Sequence, residues 1–149
     1  MIPVRVVAAA CLLLAAAARV DAACTLSSTS ISFGTYDVFQ AGPSDSTGTI
    51  TFRCGTADRD IRIAISKGTS STFSPRTLVS GPESLTYNLF FDPSYTQIWG
   101  DATGGTTTYF IRNPQNNRDI VLTMYARIPA GQDITVGSYS DTVVVTLEY

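Results

Sequence analysis

The sequence predicts an all-β fold, and three observations carry that prediction. Period-2 alternation of apolar and polar residues recurs along the chain after residue 24. Clusters of Gly, Pro, Asn, Asp and Ser separate the alternating runs. No helical periodicity or long Ala/Leu/Glu/Lys run appears outside the first 22 residues.

Those first residues are read as an export signal. Arg5 gives a positive start, Val6–Ala18 an apolar run, and small residues follow. The run is shorter than the ~20 residues a membrane helix needs, so no span is expected once it is removed. Cleavage is placed after Ala22, with Ala18 as the other candidate, which leaves 23–149 as one β-sandwich domain. Asp21 stands where a lipobox has leucine, which argues against a lipid anchor on Cys24.

The strands follow in order. "TSISFG" is expected to turn Ile31 and Phe33 inward. "GTITFRC" places Ile50, Phe52 and Cys54 on one face, and "DIRIAIS" places Ile61, Ile63 and Ile65. "LTYNLFF" faces Leu85, Tyr87, Leu89 and Phe91 one way, with Thr86 and Asn88 opposite. "DIVLTMYARI" does the same with Ile120, Leu122, Met124, Ala126 and Ile128. The closing run "GSYSDTVVVTLEY", residues 137–149, gathers Val143, Val145, Leu147 and Tyr149. Six or seven short strands with one buried face each predict an immunoglobulin-like β-sandwich. The closing strand raises a difficulty, because a long apolar strand needs a neighbour on both edges.

Assigning Cys11 to the export signal leaves Cys24 and Cys54, in a chain bound for an oxidising compartment. A disulfide between them is expected, worth about 3–4 kcal/mol by loop closure. With no histidine and no CxxC, no metal site or cofactor is expected.

Composition narrows function further. Without Arg5, Arg19 and Asp21, eight basic and eleven acidic residues remain, net −3 with no basic patch. That argues against nucleic acid or an anionic membrane as partner. The absence of histidine removes Ser–His and Cys–His nucleophiles. Ser66 and Lys67 adjoin on a strand and point to opposite faces. Asp58 with Asp60, and Asp92 with Asp101, lack the spacing of a calcium loop and read as turn caps. The chain is therefore not expected to be an enzyme. Trp99 in "QIWGD" is expected to fill one end of the core; an exposed platform for a sugar, as in a self-contained secreted adhesin, is the alternative.

More specific words occur in a fixed order: "FGTYD" (33–37), Cys54, "LTYNLF", "WGD" (99–101), and then "ARIPAGQDITVGSYSDTVVVTLEY". In the last, Arg127, Ile128, Pro129, Gln132, Gly137, Tyr139, Asp141 and Thr142 carry the pattern. Over about residues 24–149 the chain resembles the spore coat U domain family, which includes subunits of archaic chaperone–usher pili. The resemblance implies a sandwich lacking its final strand. It implies a surface pilus, fibre or coat subunit active in adhesion or biofilm, reaching the cell surface through the periplasm. Its partners would be a periplasmic pilus chaperone, an outer-membrane usher and other pilus or coat subunits. A strand lent by a partner would complete the fold, its groove lined by Ile31, Phe33, Val143, Val145, Leu147 and Tyr149. Only Ala23, or about five residues after the earlier cleavage, would precede Cys24, so the chain is expected to receive a strand rather than donate one.

Overall fold

The computed structural model describes residues 24–56 and 58–149, so the export signal expected at 1–22 lies outside the described residues. The described chain forms eight strands: β1 Thr25–Ser28, β2 Ser44–Arg53, β3 Ile61–Ile65, β4 Arg76–Ser80, β5 Glu83–Phe90, β6 Tyr109–Ile111, β7 Ile120–Ile128 and β8 Val145–Glu148. One sheet has the order β1-β2-β7-β5-β4 and the other β6-β3-β8. All pairings between these strands are antiparallel. Two such sheets packed face to face make an immunoglobulin-like β-sandwich.

The expected alternation is realised in the four strands that read most regularly. Ile50 and Phe52 of β2 are buried, as are Ile61, Ile63 and Ile65 of β3. Leu85, Tyr87 and Leu89 of β5, and Met124, Ala126 and Ile128 of β7, join them in one core cluster. β2 and β7 form the spine of the larger sheet, paired from Ser44↔Ile128 to Phe52↔Ile120. Trp99 is wholly buried in the core, and its indole N–H donates to the Ile63 carbonyl at 3.0 Å. It is therefore no exposed platform.

Three expectations need correction. The first pairing strand is Thr25–Ser28, not the "TSISFG" run. After Thr29, whose N–H still donates to the Thr49 carbonyl, the chain leaves β2 because Ile31 turns down over Gly48. Ile31 and Phe33 do pack against the core, half-buried. The closing strand is shorter than 137–149, because Asp141 draws the preceding segment toward Thr69 and Tyr87. Tyr149 is 61% exposed and does not join the inward set. The short strands β4 and β6 are additions to the sequence reading.

Cys24 and Cys54 are joined by a disulfide across a separation of 30 residues. It fastens the start of β1 to the end of β2, beside the Thr25↔Arg53 pair. Replacing Cys54 by serine is expected to lower stability by about 3–4 kcal/mol. Thermal unfolding in oxidising buffer measures this, and an unchanged melting temperature would refute the bridge.

Candidate functional site

Three strands facing five leave part of the larger sheet without a covering strand. Over that part lies an open groove of about 1100 Å³. Its floor is the inner face of β4, β5 and β7: Leu78, Leu85, Tyr87, Leu89, Met124 and Ile128. One wall is the segment 28–39, and the other is 134–145.

The first wall is seated by a missing side chain. A Cβ added at Gly48 would lie 2.7 Å from Ile31 Cγ1 and 3.2 Å from Met124 Cε. Glycine in the middle of a strand is weakening on its own, and here it opens the slot that Ile31 fills. Phe33 packs edge-on against Tyr87, with centroids 6.2 Å apart. The Tyr36 hydroxyl donates to the Pro129 carbonyl at 2.9 Å and accepts from the Gln132 N–H at 3.0 Å, tying this wall to the β7–β8 connection. Gln132 then pairs with β5 through its side chain. Its Oε1 accepts from the Thr86 N–H at 2.7 Å, and its amide N–H donates to the Thr86 carbonyl at 2.9 Å.

The second wall runs into β8. The Ser66 N–H donates to the Val144 carbonyl, and the Val144 N–H donates to Ser66 Oγ, both at 2.9 Å. Antiparallel ladders alternate, so the backbone groups of Val145 and Leu147 point away from β3. Among the described residues no strand or bridge meets that edge. The side chains of Val143, Val145 and Leu147 are half-buried against the core.

A buried polar network fixes floor and wall together. Arg76 is wholly buried at the start of β4. Its guanidinium donates to Asn88 Oδ1 and the Trp99 carbonyl, each at 2.7 Å, and to the Ser66 carbonyl at 3.0 Å. It also lies over the Phe73 ring, 5.2 Å from the centroid. Burial lowers its pKa, yet a guanidinium stays charged throughout the physiological range. Asn88 returns a bond to the Phe73 carbonyl at 2.9 Å. At the groove itself, Asp141 accepts from the Tyr87 hydroxyl at 2.6 Å and from the Thr69 and Thr142 N–H groups at 2.9 and 2.8 Å. Burial, then Asp141, pushes the Tyr87 phenol well above its ordinary pKa, so it remains a donor. Gly68, at φ +68°, lies against the Asp141 carboxylate where any Cβ would overlap it.

Of the residues singled out in the sequence, Ile31, Phe33, Val143 and Val145 line the groove, whereas Leu147 packs on the core and Tyr149 faces outward. The floor residues of β5 and β7 were readable as core but not as a groove, and Leu78 of β4 was missed. The roles of Tyr36, Gln132 and Asp141 were missed, although all three stand in the words that carry the family resemblance. The chain has no histidine, so no Ser–His or Cys–His pair can form. Asp58 stands 3.5 Å from Cys24 Sγ, but both neighbouring sulfurs are committed to the disulfide and cannot ligate a metal.

Fold and site define an immunoglobulin-like domain with an open apolar groove bounded by unpaired backbone. Residues 10–146 match the Spore Coat Protein U domain, and the chain belongs to that family. Among solved structures it is similar in fold to the crystal structure of the CsuC–CsuE chaperone–tip adhesion subunit pre-assembly complex from archaic chaperone–usher Csu pili of Acinetobacter baumannii. The match has a TM-score of 0.60 at 22% identity and covers 85% of this chain. This chain spans 39% of the length of the matched one. No curated protein matches it in sequence.

The Gly48 slot is directly testable. Gly48→Ala is expected to displace Ile31 and cost about 1–3 kcal/mol. Amide shifts should change over residues 29–34 and around Met124. Unchanged shifts there would show that Ile31 does not rest on Gly48.

Proposed function

We propose that this protein is an exported structural subunit of a surface pilus, fibre or coat, completed by a β-strand from another chain. The observation that carries the reading is the apolar groove with an unpaired β8 edge beside it. An extended peptide laid there would satisfy the outward backbone groups of β8 and place every second side chain over the floor. Unpaired strand edges are otherwise an aggregation hazard, so an edge of this kind calls for a partner. Membership of the Spore Coat Protein U family supports the reading, as does the fold shared with a chaperone–subunit complex.

On this reading residues 1–22 direct export and are removed. A periplasmic chaperone lends the first strand, and a strand from another subunit replaces it at an outer-membrane usher. The mature protein then stands at the cell surface. No step requires a cofactor or catalysis.

Two outcomes are expected. Purified alone, the protein should exchange the Val145 and Leu147 amides quickly; with a co-expressed periplasmic chaperone these amides become protected and the complex elutes as two chains. Equal protection in both samples would reject the proposal. Val145→Asp places a carboxylate in the groove, and this is expected to abolish recovery of the complex from the periplasm. Wild-type yield from that variant would count against the groove.

A further inference from the structure

The disulfide has an anion beside it. Asp58 Oδ2 lies 3.5 Å from Cys24 Sγ. The same carboxylate is within 4.8 Å of Cys54 Sγ. A sulfur in a disulfide carries no hydrogen, so the contact is not a hydrogen bond. What holds the oxygen there is the Gly55 N–H, which donates to Oδ2 at 2.8 Å. The turn after Cys54 therefore fixes a carboxylate against the bridge. No cation neutralises it: Asp58 takes part in no salt bridge among the described residues. Arg53, just before Cys54, pairs with Asp119 at 2.8 Å. Arg59 turns its guanidinium to the Thr56 and Asp58 carbonyls, at 3.2 and 3.1 Å.

Access to the two sulfurs is unequal. Cys54 is 2% exposed, whereas Cys24 is half-buried. A thiolate from solution therefore attacks Cys24 Sγ. A bond forms there, the S–S bond breaks, and its electron pair leaves on Cys54 Sγ. A second reagent thiol then releases Cys24 as a thiol. The bridge is reduced to two thiols, and two reagent thiols are oxidised to one disulfide. The first step spreads negative charge over three sulfurs and ends with a thiolate at buried Cys54. A carboxylate this close opposes both.

We propose that Asp58 guards the bridge electrostatically: it slows thiol–disulfide exchange at Cys24, and most strongly for anionic thiols. The clasp between β1 and β2, once closed, is held closed kinetically by a charge that the fold places beside it. The inference stands on the disulfide and its neighbours alone and is independent of what fills the groove.

Two thiols of opposite charge test this on the oxidised, mature full-length protein. Reduction is followed under excess cysteamine, a cationic thiol, and under excess 2-mercaptoethanesulfonate, an anionic one, with rates expressed per thiolate. In the wild type the cationic thiol should react faster, and added salt should shrink its advantage. Asp58→Asn removes the charge and keeps an oxygen for the Gly55 N–H. It is expected to speed reduction by the anionic thiol about tenfold and to cut the cationic-to-anionic rate ratio about fivefold at low salt. Asp133→Asn removes the same charge beyond the opposite end of β7, where Ile128 pairs with Ser44, and should leave the ratio unchanged. Asp58→Ser carries the same comparison if Asp58→Asn does not fold. Faster reduction by both thiols with the ratio unchanged would show that Asp58 only braces the turn, and would overturn the proposal. A ratio that falls equally in the Asp58 and Asp133 variants would make it a property of net charge, and would overturn it too.

Discussion

The constraint behind this fold is coverage. A five-stranded sheet with an apolar inner face must be shielded across its width, and three strands do not reach that far. The chain compensates with irregular segments on either side of the gap, which bring half-buried side chains but leave backbone groups along β8 without partners among the described residues. A closed sandwich would hide both the apolar floor and the strand edge with one further strand. Here that position is a groove, and its walls belong to the same protein at 28–39 and 134–145.

An incomplete sandwich needs other means of holding its shape, and the buried polar groups supply them. A buried cation without an adjacent carboxylate is costly unless its donors are satisfied. Arg76 satisfies its donors with backbone carbonyls from β3, the Ser66 turn and Trp99, together with Asn88. These groups come from both sheets, so the guanidinium clamps β4 and β5 to β3 at one end of the floor. Asp141 does the equivalent at the second wall, collecting donors from β5 and from the turn after β3. Gln132 does so on β5, where a side-chain amide takes the place of a strand partner.

The sequence was legible where burial alone decides side-chain direction. β2, β3 and β7 alternate cleanly because one face of each meets the core, and their inward residues follow from spacing; β5 does so except at Asn88, which is buried beside Arg76. β4 was hidden because its most deeply buried residue is an arginine, which breaks the apolar pattern that marks a strand. The wall at 29–34 misled because its alternation is real, while its path is set by the space above Gly48, a contact between distant positions. Likewise, nothing local to Gln132 or Asp141 distinguishes a turn residue that caps its own backbone from one that joins two elements. The groove was expected through family resemblance; the floor that makes it visible depends on the order of strands, which periodicity does not encode.

The position of the disulfide bears on how the domain would carry mechanical load. Tension arriving at Cys24 does not have to pass through the four residues of β1, all of them exposed. The covalent link hands it to Cys54 at the end of β2, the strand held by the longest register among the described residues, from Ser44↔Ile128 to Phe52↔Ile120. Force applied there would be resisted by a whole row of hydrogen bonds strained together in shear, instead of peeling an edge strand away one bond at a time.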